Sequence, residues 1–560
     1  MNVSSRLGLD IFSPSGHPLG KLSPATLVSP KDLVTSKRLD LAVKYNFARF
    51  LNGKGRRHRV SSPDILYSSH IELRTGGVEP YGIFKKRSIE DYLSYFKIVN
   101  NQIREYGFDE NEPIYVSSKT GLVLNGAHRL AVSIEQGIPL VPVVYDSNSE
   151  GRTWDFFWFL EAGFSRSDLA EIASNYLEIT SKNYNAAIVW PSDNVHFHEV
   201  LKEIKERSGI IYVDCLDSQH NLKEFLFDVY SYDKGIDVGR TNDNILQKFG
   251  RLSEKSIKDI GLIIFETETF EDSIELRNDV RSIFKNRING PDFDIIHSGC
   301  SPDERDHIAN IILSIATLDS YKIRPELSQN LIEKIHVLRN WAKENSFSID
   351  NLAVVGGAAL DLYGQKKCDD IDIIMRYRDR RERWNDGSAQ LSFGLDLAGF
   401  GYANHFKRES PPTDDEIISC RDMHVMARGV KFATLDTVLA RKRYSHQKAK
   451  NREDIRNYAL SRLKIPINLE SDEAEALYIG KAAFEQLKKL AEKYHAEGKL
   501  HIASSYYRKI TEEWPKSDYG WLGLGICAVQ RGDMSYARDY LEKAAGLGTS
   551  KVARSLLSGI

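Results

Sequence analysis

The chain has 560 residues, 41% hydrophobic, 28% charged and 10% aromatic, a balance that fits a folded multidomain protein and excludes a disordered, collagen-like or coiled-coil chain. Its 76 basic and 78 acidic residues leave a net charge of -2, so no global field selects a polyanionic partner. Cys215, Cys300, Cys368, Cys420 and Cys527 are too scattered for a CxxC clamp, and such a set suits a reducing cytosol.

Residues 1–60 read as an N-terminal arm, rich in Ser, Pro and Gly at first and ending in the basic run Lys54-Gly55-Arg56-Arg57-His58-Arg59. The arm has no continuous apolar leader, and runs such as Ile308 to Ala316 fall short of the roughly 18 residues that span a membrane. A cytoplasmic protein without membrane insertion is expected.

Residues 61–147 predict an α+β unit. A helix over Ser88 to Tyr106 and a strand at Pro113 to Val116 precede the apolar Leu122-Val123-Leu124. This runs into Asn125-Gly126-Ala127-His128-Arg129-Leu130, and a strand at Val141 to Tyr145 closes the unit. Strand, Gly-x-His-Arg and helix set backbone amides, an imidazole and a guanidinium at one helix start, where an anion is stabilised. Lys85-Lys86-Arg87 is either a further phosphate contact or a solvated face.

This turn and its flanking strands resemble the ParB/sulfiredoxin-like fold, whose members use it on nucleotide phosphates. The resemblance implies that Gly126, His128 and Arg129 bind ATP or another NTP, with His128 among the catalytic groups. Sulfiredoxin's reactive cysteine is replaced by Ala127.

The aromatic run Trp154 to Leu160 reads as packing rather than as a base-stacking platform. Residues 150–325 alternate strands (Ala186–Trp190, Ile210–Val213, Phe225–Val229, Leu262–Phe265, Asp294–Ile296) with helices, which predicts an α/β layered domain of unassigned role. In open α/β sheets ligands sit beyond strand ends. That makes His297, with Tyr230-Ser231-Tyr232-Asp233-Lys234, a candidate ligand contact; the alternative is an internally satisfied histidine.

Residues 326–465 carry the most legible chemistry. Leu352 to Val355 leads into Gly356-Gly357, twelve residues intervene, and Asp370-Ile371-Asp372 follows. Carboxylates at i and i+2 on a strand share a face and can hold magnesium, which takes hard oxygen ligands. Glycines at a helix start let amides approach phosphates without a Cβ in the way. The alternative is a plain turn followed by a capping Asp pair.

The spacing resembles the polymerase-beta-like nucleotidyltransferase superfamily. The resemblance implies that Asp370 and Asp372 are catalytic and bind Mg2+, while Gly356 and Gly357 hold the triphosphate. Val430-Lys431-Phe432-Ala433, Lys442 and the Lys450 to Ile455 run look like the helical tail of its smaller members, with Lys442 as a nucleotide contact. Asn451 stands where an aspartate is common. The third carboxylate of such sites falls to Asp422, with Asp396 as the weaker candidate.

Residues 475–560 repeat at a 34-residue offset, as in Gly498 and Gly532, Ala503 and Ala537, and Tyr506 and Tyr540. They resemble tetratricopeptide repeats, which implies a protein partner, self-association or packing on the chain itself. The whole reads as a multidomain α/β and α+β protein with a helical tail. The expected activity is magnesium-dependent transfer of a nucleotidyl or phosphoryl group from an NTP to a small hydroxyl or phosphate acceptor, sugar- or polyol-like, with kinase and nucleotidyltransferase steps in one chain. The alternatives are a noncatalytic nucleotide-sensing scaffold and a transferase that modifies protein or nucleic acid; the neutral charge balance disfavours nucleic acid.

Overall fold

A computed structural model describes residues 24–54, 63–79, 86–232, 238–256, 259–376, 378–379, 389–392, 394–398, 413–435, 437–438, 484, 487–514, 517–547 and 551–559. Lys85, Asp233, Lys234, Lys442, the Lys450 to Ile455 run and most of the basic run after Lys54 lie outside these residues.

The first unit contains β1 (Thr26–Val28), α1 (Asp40–Leu51), α2 (Pro63–Thr75), α3 (Ile89–Tyr106), β2 (Ile114–Ser117), β3 (Val123–Asn125), α4 (Ala127–Glu135) and β4 (Val141–Asp146). Its sheet runs β1-β4-β2-β3, with only the β2–β4 pair parallel. Because β1 pairs with β4 and α1 packs along α4, residues 24–54 belong to this unit and are not an arm. Helix α1 buries Leu41, Ala42, Val43, Phe47 and Ala48, but also Asp40 and Lys44. Those buried charges hide its apolar period from the sequence.

The middle unit follows as α5 (Phe156–Glu161), α6 (Arg166–Ile179), β5 (Asn183–Val189), α7 (Phe197–Arg207), β6 (Gly209–Leu216), α8 (Leu222–Val229), α9 (Val238–Ser253), β7 (Ile260–Thr267), α10 (Phe270–Phe284), β8 (Ile296–Ser298), α11 (Pro302–Ile312) and α12 (Ile315–Ser320). The sheet order β6-β7-β5-β8 is antiparallel throughout. With α7 and α10 as crossovers, this is the split β-α-β arrangement of ferredoxin-like folds. Strands β5 and β7 are buried along most of their length, so helices cover both faces of the sheet's centre.

Two expectations are corrected here. Phe225–Val229 is helical, since the Asn221 side chain accepts the Glu224 N–H and starts α8; a short apolar run does not distinguish strand from helix. The antiparallel sheet also removes the parallel-sheet crevice as a reason to place a ligand at His297.

Helix α13 (Gln329–Glu344) leads into the third unit: β9 (Leu352–Val355), α14 (Gly356–Asp361), β10 (Ile371–Met375), β11 (Ala389–Ser392), β12 (Leu395–Leu397), α15 (Asp414–Ser419), β13 (His424–Ala427) and β14 (Val430–Ala433). The six strands run β11-β12-β10-β9-β14-β13. Val430–Ala433 is thus a strand of this sheet, parallel to β9 at Phe432 and Val354, and not part of a helical tail.

First and middle units share one continuous apolar core, whereas the third has its own. They meet at a buried ionic junction. Arg324 donates to Asp228 (2.5 Å) and to the Met426 carbonyl (3.1 Å), and Tyr321 donates to Asp228 (2.9 Å). From the third unit, Arg428 brings its backbone N–H to Asp228 (2.8 Å) and its guanidinium to both Glu224 oxygens (3.0 and 3.1 Å). Arg428 and Gly429 form the two-residue turn between β13 and β14 with φ of 50° and 74°. Left-handed backbone at a non-glycine is strained, and the Asp228 and Glu224 bonds hold it.

The tail contains α16 (Leu500–Glu513), α17 (Asp518–Arg531), α18 (Met534–Leu547) and α19 (Lys551–Leu557). A Cβ on Gly523 would overlap the Tyr507 ring, which is why α17 carries glycine where it crosses α16. The tail rests on the first unit: α16 packs on α2, Arg531 lies 3.6 Å from Glu72, and the Tyr536 hydroxyl donates to Glu90.

Candidate functional site

The third unit's carboxylates are placed by strand order. Asp372 on β10 stands opposite Val355, the last residue of β9, on one side and opposite Asp396 on the parallel strand β12 on the other. Residues level with one another on neighbouring strands project to the same face, as do residues at i and i+2. Asp372 and Asp396 therefore share one face at the end of the sheet where β9 turns into α14, and Asp370 lies in the bend just before β10. Asp370 is exposed, and Asp372 and Asp396 are half-buried between the buried Ile371, Ile373, Leu395 and Leu397.

Gly356 is the turn. Its φ is +66°, and a Cβ added there would collide with the Asp372 carboxylate, whose Cγ it would approach to 3.3 Å. Gly357 faces open space, with no atom within 4 Å of a built Cβ. Helix α14 has only six residues and contributes little dipole, so the glycines supply close backbone approach beside Asp372.

The loop that carries Asp370 is pinned from α13. Asn330 Nδ2 donates to the Cys368 carbonyl (2.9 Å) and Lys334 Nζ to the Asp369 carbonyl (2.7 Å), while the Cys368 N–H donates to Asp361 (2.9 Å).

Asp422 does not join them. It lies just before β13, the far edge of the sheet, with β9 and β14 between it and β10. The carboxylate that lies beside Asp372 is Asp396, in a Leu-Asp-Leu strand whose sequence alone does not show that it lies beside β10. Among the described residues, no three His, Cys, Asp or Glu side chains form a group able to hold a metal ion unaided.

The Gly-x-His-Arg turn of the first unit forms as expected, with Gly126 at φ +89° capping α4. Its side chains are committed inward. His128 Nε2 is hydrogen-bonded to the Tyr67 hydroxyl (2.9 Å) and its ring is ringed by Tyr67, Tyr95 and Phe96. Burial, with Lys44 and Lys86 nearby, holds its pKa well below the usual histidine value. Arg129 folds back onto the Glu112 and Pro113 carbonyls and lies 3.4 Å from the Glu112 carboxylate. The expected outward cradle of His128 and Arg129 is corrected accordingly.

Sequence reading passed over what lies behind that turn. Arg38 donates to Asp40 Oδ1 (2.7 Å) and Oδ2 (3.0 Å), and Lys44 Nζ donates to Oδ2 (2.5 Å). Burial pushes the Lys44 ammonium down to about 7, against the pull of Asp40. Burial alone would raise the Asp40 carboxyl, but Arg38 and Lys44 outweigh it and hold it well below the carboxylate range. The one sequence signal is the Asp40–Lys44 spacing of four on an otherwise apolar helix face.

In the middle unit Tyr230 does meet His297, with ring centroids 4.9 Å apart, and His297 Nε2 lies 3.3 Å from Glu304. Lys248 stands over Trp190 at 4.5 Å and donates to the Phe293 carbonyl (3.0 Å); burial lowers its pKa to about 8 against the pull of Asp294. His297 is thus internally paired.

No family model, curated protein or solved structure matches the chain.

Proposed function

We propose that the protein is a magnesium-dependent nucleotidyltransferase that moves a nucleotidyl group from an NTP to a small hydroxyl or phosphate acceptor of sugar- or polyol-like chemistry. The observation that supports this reading is the pairing of Asp372 with Asp396 on one sheet face beside the Cβ-free turn at Gly356, with Asp370 in the bend just before β10. The donor set fits magnesium, which binds through one or two carboxylates together with substrate phosphates and water. When bound, the ion neutralises charge on the phosphates.

Asp370 and Asp372 would hold the ion beside the phosphates. Gly356 and Gly357 admit the triphosphate against the backbone. Asp396 accepts the proton of the attacking hydroxyl; the new oxygen–phosphorus bond forms at the α-phosphorus as the bond to the β-phosphate oxygen breaks, and pyrophosphate leaves. Positioning and charge stabilisation carry such a reaction.

The test follows acceptor-dependent pyrophosphate release with each NTP, magnesium and a panel of sugars, polyols and their phosphates. Asp372→Asn and Asp396→Asn should each reduce release by roughly 10²-fold or more, while Asp422→Asn leaves it near wild type. Equal loss in Asp422→Asn would reject the assignment of Asp396. Release absent throughout, with nucleotide still bound, would favour the sensing scaffold.

A further inference from the structure

Holding an ion with Asp370 and Asp372 places a demand on backbone that is neither helix nor strand. Asp369 and Asp370 form the bend just before β10, and both are exposed. Exposed carboxylates on a bend have no packing of their own to fix them, whereas a metal site needs its ligands held to within about 0.5 Å. The support has to come from neighbouring elements.

Helix α13 supplies two of the bonds. Asn330 and Lys334, four residues apart on one helix face, reach consecutive carbonyls. Asn330 Nδ2 donates to that of Cys368 (2.9 Å) and Lys334 Nζ to that of Asp369 (2.7 Å). From the other side the Cys368 N–H donates to Asp361 (2.9 Å), a buried carboxylate on α14, the helix that Gly356 and Gly357 begin. The Ile371 N–H donates to the Gly394 carbonyl (2.9 Å) just before β12. Lys334 Nζ stands 3.7 Å from where a Cβ on Gly394 would lie. Lys334 is therefore at both connections, the bend that carries Asp370 and the turn that leads into Asp396.

An ammonium that served the site only by its charge would bond a carboxylate. This one bonds a carbonyl. Helix α13 is itself held by two units: Leu331, Ile335 and Leu338 are buried in the core of the third, and Arg339 donates to the Arg428 carbonyl (3.1 Å) and to the Ser231 carbonyl (2.9 Å) of the middle unit. The two donors thus stand on a fixed support.

We propose that Lys334, with Asn330, is a positioning residue of the metal centre: by holding the Asp369 carbonyl it sets where the Asp370 carboxylate stands relative to Asp372. This rests on the magnesium-dependent reading above, and neither residue belongs to the glycine or aspartate motifs that carry that reading. Charge and position predict opposite signs. Removing a cation beside a metal site tightens metal binding by electrostatics alone, whereas removing the support of a ligand loosens it, by roughly tenfold or more.

The full-length protein is titrated with Mn2+, a paramagnetic stand-in for Mg2+, without nucleotide, and the free ion is read by electron paramagnetic resonance. The wild type is expected to bind an ion that Asp372→Asn loses. Lys334→Met should weaken that binding roughly tenfold or more, Asn330→Leu should act in the same direction, and Lys343→Met, at the exposed end of the same helix, should match wild type. In the pyrophosphate assay Lys334→Met should need correspondingly more magnesium yet approach the wild-type rate once saturated, a split that general destabilisation does not produce. Near-ultraviolet circular dichroism verifies that each variant is folded; if Lys334→Met does not fold, Asn330→Leu decides. Tighter or unchanged Mn2+ binding in the folded variants would overturn the proposal, as would a wild type with no bound ion sensitive to Asp372→Asn. Mn2+ binding that falls in Lys334→Met while pyrophosphate release is absent throughout would sustain the positioning role and reject the transfer reading.

Discussion

Two buried ionic clusters in this molecule have opposite characters. Glu224, Asp228, Arg324 and Arg428 join the middle and third units with balanced charge. Arg38, Asp40 and Lys44 lie inside the first unit, one carboxylate between two cations. Breaking a balanced buried pair strands a partner, whereas an unbalanced cluster is already strained and relieves itself by shifting a proton. The first kind holds architecture together. The second couples stability to pH through Lys44.

The largest effect should come from Asp228→Ala. It leaves Arg324 buried without its closest carboxylate and frees the strained Arg428 turn, and a loss of about 3–5 kcal/mol is expected in denaturant unfolding. Asp40→Asn should cost less, about 2 kcal/mol at pH 8, because Lys44 can become neutral; the same variant should lose more at pH 6, where the unfolded chain gains from a protonated lysine. Equal losses at both pH values would erase the distinction between the clusters.

Lys44 also gives the wild type a signature. Its folded pKa of about 7 lies below the ordinary lysine value of 10.5, so between these values the unfolded chain binds more protons and stability rises with pH. This group adds up to about 1.4 kcal/mol per pH unit across that window and nothing below it. Lys44→Met should flatten the rise. The smallest effect belongs to Arg129→Ala, whose partly exposed pairing with Glu112 predicts a loss under about 1 kcal/mol in the same unfolding assay.

Legibility in the sequence followed locality. Gly356-Gly357 and Asp370-Ile371-Asp372 are local patterns, and the turn and strand they announce are present. The choice between Asp396 and Asp422 depends on which strand lies beside β10, a long-range pairing that no local period encodes. The 34-residue repeat was visible because each unit repeats its own contacts, but the surface it rests on, near Glu72 and Glu90, was not. Lys44 was least legible, because a lysine on an apolar helix reads as a solvated residue until Asp40 and Arg38 are seen to enclose it. Phe225–Val229 failed for the opposite reason: an apolar run of that length fits either secondary structure, and the cap at Asn221 made it helical.

The Arg428 turn has a consequence for proteolysis. A nick in the connection between α12 and α13 would sever the backbone between two units that Asp228 and Glu224 still grip from one side and Arg428 from the other. The cleaved protein should run as two bands under denaturing conditions, yet elute as one particle in gel filtration. Separately produced halves should find each other through the same turn.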